Sequence, residues 1–420
     1  MSTACDNAMV CKEESQRLEQ WFEGYDFKYI VKQKYVKEGG SGKAVKLDFK
    51  KDNVMSYALF KMAAGKNNEK TDNLFREGMV GFQINAAADI FPSFIRTLGL
   101  YKQSATGKYT IENVKFKKYN KVPTIATACK TSDKDAILVE YIDGEPIKNL
   151  YKRPDFSHEL LPVLFQIYYP LQMLGSTYTH YDLHTGNVML SRPFKNGCIL
   201  FEYTMPTGEV ISFKSAYIAK IIDYGRNYVE VLHGSLEDIK TKPECNTKRC
   251  GHFGNKCGFR NYQNPNHAGL GFRMPNVSHD LRLLNYAVMD LKEEKKWNGP
   301  DVEFDKGEFS TVEIKESGLN NNMINNVMDA SVVLAQMVHN NFKAFEGVPV
   351  LGTLRCNGLQ PWSFQMARGA SGSSISSGVG GRRGQRRSRV FKAKKTSRFV
   401  HKPKFSRFRR TRKRNAGHYF

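Results

Sequence analysis

The sequence contains no apolar run long enough to cross a bilayer. Its longest apolar stretch, residues 160–175, is interrupted by Pro162 and Pro170 and therefore predicts a buried helix. The N-terminus lacks the basic flank and apolar core of a signal peptide, and it carries acidic residues such as Glu13 and Glu14. We therefore expect an intracellular protein without membrane insertion, whose eight cysteines stay mostly reduced.

Acidic residues are absent from the end of the chain. Residues 368–420 hold 18 Lys and Arg and no Asp or Glu, whereas the rest has 46 basic and 41 acidic residues. A Gly/Ser linker at 367–381 precedes a segment, 382–420, that has too few apolar residues to fold alone. Interleaved Arg, Lys and Phe predict a disordered tail that binds nucleic acid or another polyanion. Its basic runs are also typical of nuclear localisation signals, and a merely solvated tail is the alternative.

The pattern before the tail predicts an α+β protein with two lobes. The predicted elements are a helix at 12–26, a hairpin around 39–42, a strand at 54–62, a helix at 73–90, a strand at 138–142, a helix at 159–178, and strands at 188–190 and 218–222 that flank an insertion with its own hairpin. The order of these elements begins with strands and one helix and continues mostly with helix. This order indicates an N-terminal extension (1–26), a smaller N-lobe (27–142) and a larger helical C-lobe (143–366).

The strongest chemical signal is the segment His180–Asn187, HYDLHTGN, followed later by DYG at residues 223–225. Phosphoryl transfer needs a positioned acceptor hydroxyl and cations on the phosphates. Asp182 can accept the hydroxyl proton, and Asn187 and Asp223 can hold Mg²⁺ or Mn²⁺. The two motifs in this order predict an ATP site, and chance occurrences are the alternative.

A phosphate-binding lysine on a strand, paired with a glutamate on a helix, is the second requirement of such a site. Lys61 in YALFK and Glu77 in NLFREGMVG fit these roles. Glu69 competes with Glu77, but it lies in a polar stretch. The alternative for both Lys61 and Glu77 is a solvated side chain.

Two further segments are candidates for contact with the nucleotide. Gly39, Gly40 and Gly42 form a glycine-rich turn that would cover the phosphates, although the full GxGxxG pattern is absent and an ordinary hairpin turn is the alternative. Glu140 and Ile142 in LVEYIDG would form a hinge whose backbone meets adenine. A plain buried strand is the alternative for the hinge.

The stretches NLFREGMVG, FPSFIRTLGLY, THYDLHTGNVML, KIIDYGR and SHDLRLLN together resemble the serine/threonine protein kinases of large cytoplasmic DNA viruses, of the iridovirus, mimivirus and marseillevirus type. The resemblance runs from about Tyr57 to about Leu284. It implies a two-lobed protein-kinase-like fold, ATP, Mg²⁺ and protein substrates, in the host cytoplasm (the virus factory), the virion or the nucleus. In this fold Asp280 would brace the catalytic loop.

The chain departs from the resembled family at three places. Tyr181 stands where these kinases have an arginine that pairs with a phosphorylated loop, so we expect no such switch. His184 stands where they have a lysine on the transferred phosphate; a protonated histidine could substitute. No clear APE motif follows residue 225. A small-molecule kinase of the aminoglycoside or choline type, and an inactive kinase-fold virion protein that binds nucleic acid, therefore stay open as alternatives.

A cysteine cluster follows the DYG motif. Cys245, Cys250, His252 and Cys257, with His267 nearby, are a candidate set of ligands for structural Zn²⁺. The spacings are wider than the tight Cys-x2-Cys knuckle, and free thiols in a polar loop are the alternative.

Overall fold

The computed structural model describes residues 27–39, 42–51, 54–63, 74–119, 135–230, 277, 279–284, 287, 324 and 326–367. These residues form a mixed α+β structure in which strands predominate, so the α+β class is confirmed. All of them belong to one compact unit, residues 1–373, of the two into which the chain divides. No helix among them is long and apolar enough to span a membrane.

The strands on either side of the glycine-rich segment pair antiparallel, as predicted. Strand β1 (Ile30–Gly39) pairs with β2 (Gly42–Lys51), and the last pair is Gly39 with Gly42. Gly42 has a φ of 139°, and a Cβ there would lie 2.0 Å from the carbonyl oxygen of Met62. Only glycine fits this position, because it is both left-handed and in contact with a neighbouring backbone.

The N-terminal sheet has seven strands in the order β1-β2-β3-β7-β4-β6-β5. The further strands are β3 (Val54–Met62), β4 (Thr97–Gln103), β5 (Tyr109–Ile111), β6 (Val114–Lys118) and β7 (Asp135–Glu140). The side chain of Gln33 on β1 accepts from the N–H of Glu112 at 3.1 Å and donates to the carbonyl of Thr110 at 3.4 Å. The sheet therefore curls until its two ends meet.

Alternation along the central strands divides their side chains between two cores. Phe60 on β3 and Leu138 on β7 point into the curled sheet, where large aromatic side chains fill the interior. Leu59, Ile137 and Val139 point to the other face and join the main core, which includes helix α1 (Leu74–Ile90). Lys61 follows Leu59 on this second face, so the backbone pleat directs it towards α1.

Helix α2 (Leu160–Leu174) is the central helix of the second half, and eleven of its fifteen residues are buried. Two small sheets of short strands lie in the same half, in the orders β13-β10-β8 and β14-β9. The strands are β8 (Gly144–Pro146), β9 (Tyr178–Thr179), β10 (Val188–Ser191), β13 (Ile218–Ile221) and β14 (Tyr228–Val229). Their pairing brings the segments 180–187 and 222–227 next to each other.

The insertion and the C-terminal part of the unit form a further sheet, in the order β12-β11-β15-β16. Strands β11 (Cys198–Thr204) and β12 (Val210–Ser215) are the hairpin predicted for the insertion. Strand β15 (Val350–Cys356) pairs parallel to β11 and antiparallel to β16 (Ser363–Met366). Helix α3 (Val327–Val338) precedes β15 and begins at Asn326, whose side chain accepts from two backbone N–H groups.

Several predicted bounds are wrong. The helix predicted to reach residue 178 ends at Leu174, because Gly175 adopts a φ of 51° and the chain then enters β9. The strand predicted at 138–142 is β7, which ends at Glu140. In the described part of residues 143–366, residues in strands outnumber residues in α-helices, so the expectation of a mostly helical lobe is wrong there. Pairing between strands about 150 residues apart, as in β11 with β15, leaves no local sequence pattern.

Some predictions lie outside the described residues. They are the helix at 12–26, Gly40, the candidate zinc ligands Cys245, Cys250, His252 and Cys257, the linker and the basic tail.

Candidate active site

Asp280 holds the start of the HYDLHTGN segment. Its carboxylate accepts from the backbone N–H groups of His180 at 2.6 Å and Tyr181 at 3.0 Å, and it is almost fully buried. The hydroxyl of Tyr168 on α2 donates to the carbonyl of Asp280 at 2.8 Å and accepts from the N–H of Leu284 at 3.0 Å. The buried core helix thus fixes the position of the loop through Asp280.

His180 connects the loop to the segment before Asp223. Its Nδ1 accepts from the N–H of Asp182 at 3.2 Å, and its Nε2 contacts the carbonyl of Ile222 at 3.0 Å. From these partners we infer that the neutral ring carries its proton on Nε2, which donates to the carbonyl of Ile222. His180 is completely buried, so its role is to hold the two segments together rather than to meet a ligand.

The three predicted acid and metal residues lie in one neighbourhood. The side-chain amide of Asn187 donates to the carbonyl of Asp182 at 2.9 Å, and the carbonyl of Asn187 accepts from the N–H of Ile222 at 3.0 Å. Asp223 follows Ile222 directly and has a left-handed backbone, with a φ of 70°. Aspartate tolerates this conformation better than most residues, and such strain is common at functional sites.

Lys61 and Glu77 form an ion pair between β3 and α1, with 2.5 Å between Nζ and Oε1. The glutamate side chain is 6% exposed and the lysine 21%. Burial by itself lowers the pKa of Lys61, but the attraction of Glu77 and of Asp223 outweighs it, so the pKa is raised. Lys61 therefore stays charged and lies within electrostatic reach of the predicted metal ligand Asp223.

Tyr224 fastens the DYG motif to the segment after α1. Its hydroxyl accepts from the N–H of Ile95 at 2.9 Å and donates to the carbonyl of Ile95 at 3.1 Å. The ring is 1% exposed, and burial raises the pKa of its phenol well above the usual value. Asp223 is therefore positioned by a neutral, buried anchor.

Tyr181 occupies the position of the missing arginine. Its ring is 2% exposed, packs with Tyr228, and lies 5.0 Å from the ring of His279. Burial raises the pKa of Tyr181, so the side chain stays a neutral phenol. A buried phenol cannot pair with a phosphate as an arginine would.

His184 occupies the position of the missing lysine. Its Nδ1 accepts from the N–H of Gly186 at 2.9 Å, which places the proton of the neutral ring on Nε2. Burial lowers the pKa of His184, and Arg282 and His180 lower it further, against the opposing effect of Asp182 and Asp223. At neutral pH His184 is therefore a neutral hydrogen-bond donor and does not replace the charge of a lysine.

Arg282 is a charged residue of this site that the sequence analysis did not identify. Its Nη1 lies 3.7 Å from the Asp182 carboxylate, and both side chains are less than a fifth exposed. Arg282 lies two positions after Asp280 in SHDLR, so the bracing turn also brings a cation to the loop. This proximity depends on the fold, since Arg282 is a hundred residues from Asp182.

The predicted hinge is tied into the core through Glu140. Its carboxylate pairs with Lys220 at 3.3 Å and accepts from the N–H of Arg96 at 3.2 Å, and its own N–H donates to the carbonyl of Arg96. The backbone N–H of Glu140 is therefore already used within the fold, and its contact with adenine stays a prediction. Ile142, the second hinge residue, is buried and follows the end of β7.

The side chains next to Lys61 on its face of the sheet are apolar. Ala44 lies opposite Lys61 on β2, and Ile137 lies opposite it on β7. Leu59 and Val139 lie on the same face by alternation. The sequence analysis did not identify this surface, although the period of two along YALFK was the signal. Gly39 and Gly42 end the two strands of the hairpin at the Ala44 edge of this face.

The residue set around Asp182 suits magnesium rather than zinc. Mg²⁺ prefers oxygen ligands and is usually held by one or two carboxylates together with substrate phosphates. Asp223 and the amide oxygen of Asn187 are ligands of this kind. In the described part of the chain, no group of three His, Cys, Asp or Glu side chains gathers into a site that could hold a metal ion by itself.

Comparison of the chain with models of protein families finds no matching family, and a search of curated proteins finds no match.

Proposed function

We propose that this protein is an ATP-dependent phosphotransferase with a two-lobed protein-kinase-like fold, and that it transfers the γ-phosphate to hydroxyl groups of proteins. The observation that carries the proposal is the pair of Lys61 and Glu77, 2.5 Å apart, within electrostatic reach of Asp223. The contact between Lys61 and Glu77, whose side chains are 21% and 6% exposed, supports this role over the alternative of two solvated side chains.

Each residue has a role that its contacts support. Asp182 orients the acceptor hydroxyl and takes its proton. Its position is supported by Asn187, which donates to its carbonyl, and by Asp280, which accepts from the N–H of the preceding residue, Tyr181. Lys61 holds phosphate oxygens, and Glu77 keeps its ammonium group in place. Asn187 and Asp223 would hold Mg²⁺, which neutralises phosphate charge when it is bound. Ala44, Leu59 and Val139 offer an apolar surface for the base.

The resemblance to kinases of large DNA viruses favours a protein acceptor, and a small-molecule acceptor is the second candidate. The neutral state of His184 favours the second candidate, because the loop then lacks the cation that protein kinases place there. Labelling with radioactive ATP, offered to basic proteins and separately to aminoglycosides, choline and sugars, distinguishes the two.

The test of the reaction is the Asp182→Asn substitution in the full-length chain, assayed for transfer from radioactive ATP with Mg²⁺ and with Mn²⁺. We expect labelling to fall by about a thousandfold or more, because the hydroxyl loses its proton acceptor. Asp155→Asn is the matched control, since Asp155 is an exposed carboxylate paired with Arg153 only two residues away. Undiminished labelling in Asp182→Asn, or equal loss in the control, would refute the assignment.

The basic tail is proposed to bind nucleic acid or another polyanion. The 18 Lys and Arg of residues 368–420, with no acidic residue among them, support this part of the proposal. The affinity of the full-length chain for DNA should fall steeply as the salt concentration rises. A chain truncated at Ser371 should lack this binding. Equal affinity in both would contradict it.

A further inference from the structure

The last four carbonyl groups of helix α1 all have partners, although a helix cannot satisfy them internally. The carbonyl of Ala87 accepts from the N–H of Phe91 at 2.7 Å, which is the local solution. The remaining three carbonyls, of residues 88–90, accept from donors more than 260 residues away in the sequence. Helix α1, which carries Glu77, is therefore capped by the C-terminal part of the compact unit.

Trp362 and Cys356 supply these three donors. The indole Nε1–H of Trp362 donates to the carbonyl of Ala88 at 3.1 Å, and the backbone N–H of Trp362 donates to the backbone carbonyl of Asp89 at 3.2 Å. The thiol of Cys356 donates to the carbonyl of Ile90 at 3.3 Å. Both side chains are nearly completely buried.

The segment between these two residues also contacts helix α2. Gly358 has a φ of 69°, and a Cβ there would lie 2.4 Å from Cε of Met173 and 3.1 Å from the hydroxyl of Tyr169. The side chain of Asn357 stabilises the turn, since it accepts from the N–H groups of residues 359 and 360. Residues 356–362, which we name the C-terminal clamp, therefore lie against both the end of α1 and the side of α2.

The clamp acts on the end of α1 that is remote from the ion pair. Glu77 and Ala88 are separated by about 16 Å along the helix at the standard rise per residue. Tilting the helix about its clamped end by about 10° would move Glu77 by about 3 Å. That movement is enough to break a 2.5 Å contact between Glu77 and Lys61.

We propose that Trp362 is a positioning residue of the ATP site, because the C-terminal clamp holds α1 where Glu77 reaches Lys61. An effect of Trp362 on catalysis rests on the proposed function, phosphotransfer from ATP. The Gly/Ser linker and the basic tail follow β16 in the sequence, so the clamp precedes both of them in the chain.

The first test measures how readily Lys61 is acetylated in the absence of a nucleotide. Full-length protein is treated briefly with acetic anhydride, and acetylation of Lys61 is compared by mass spectrometry with that of the exposed Lys117. Trp362→Phe keeps a buried ring and removes the indole donor, and we expect it to raise the relative rate at Lys61 by about fivefold. Leu359→Ala, on the same turn but 76% exposed, is the control and should match the wild type. An unchanged rate in Trp362→Phe would overturn the proposal.

A second background separates positioning from general loosening of the fold. In Glu77→Gln the lysine has lost its carboxylate partner, so adding Trp362→Phe should not change the acetylation rate further. An equal increase from Trp362→Phe in both backgrounds would overturn the proposal, because the effect would then not pass through Glu77. If Trp362→Phe does not fold, Cys356→Ala removes a different donor to the same helix end and gives the same comparison.

A third measurement connects the clamp to ATP. We expect Trp362→Phe to raise the KM for ATP by about fivefold and to change kcat by less, because Lys61 mainly binds phosphates. A change in kcat alone would contradict this role. If the wild-type chain neither binds nor uses ATP, the proposed function fails, while the acetylation comparison still decides whether the clamp positions Glu77.

Discussion

Replacing Asp280 by asparagine should destabilise the protein and disturb the loop that carries Asp182. The Asp280 carboxylate accepts two backbone N–H groups, of His180 and Tyr181, at a position that is 2% exposed. Asparagine has the same shape but keeps only one acceptor oxygen. Its amide group would place N–H donors against one of the two backbone N–H groups.

The size of the effect follows from these contacts. A hydrogen bond to a charged group contributes about 1.5–3 kcal/mol, and a buried donor left without an acceptor costs about 1–3 kcal/mol. One of the two bonds survives in the variant, so we expect a loss of about 2–4 kcal/mol in the free energy of unfolding. The lost bond belongs to residue 180 or 181, so phosphotransfer should also fall if Asp182 is the catalytic base.

Urea denaturation, followed by far-ultraviolet circular dichroism, measures the change in stability. Asp155→Asn is the control with the same chemical substitution at an exposed site, and its unfolding curve should coincide with that of the wild type. If Asp280→Asn unfolds at the wild-type urea concentration, the two hydrogen bonds do not contribute as described, and the account of how the loop is positioned would be wrong.

Three further predictions concern buried groups outside the loop. Lys220→Met should cost about 3–5 kcal/mol of unfolding free energy, because it leaves Glu140 charged and buried, and adding Glu140→Gln should recover most of it; urea denaturation of both variants tests this. Burial raises the pKa of Glu159 above its ordinary value of 4.5, so the stability that this group contributes is present below that pH and is lost as the pH rises through the raised pKa. Glu159→Gln should abolish this part of the pH dependence of the unfolding free energy. Parallel plots of unfolding free energy against pH for the variant and the wild type would contradict the prediction. Burial raises the pKa of Cys356 to about 12, so iodoacetamide should label this thiol only after unfolding, and rapid labelling in the native protein would contradict its position in the clamp.

Local patterns predicted the elements that carry most of the site. The glycines at 39–42 predicted the hairpin, YALFK predicted strand β3, and the spacing of residues 73–90 predicted helix α1. The pairing of Lys61 with Glu77 was also predicted, because a phosphate-binding lysine on a strand requires a glutamate partner on a helix, and the two side chains are in contact. The order of the HYDLHTGN and DYG motifs indicated which segments lie together.

Other features of the site have no local signal. Nothing near Asp182 in the chain points to Arg282, and nothing near helix α1 points to Trp362. The state of His184 could not be predicted either, because its pKa depends on burial and on charges from several segments.

The sequence by itself determined the candidate reacting groups and the short-range elements that present them, because residue type and local periodicity carry that information. The tertiary structure alone decided how those groups are held: Asp280 under the loop, Tyr224 behind Asp223, and the C-terminal clamp on α1. The physical reason is that buried backbone groups must find partners wherever the fold places them. The partners that satisfy this requirement here lie up to 274 residues away in the chain.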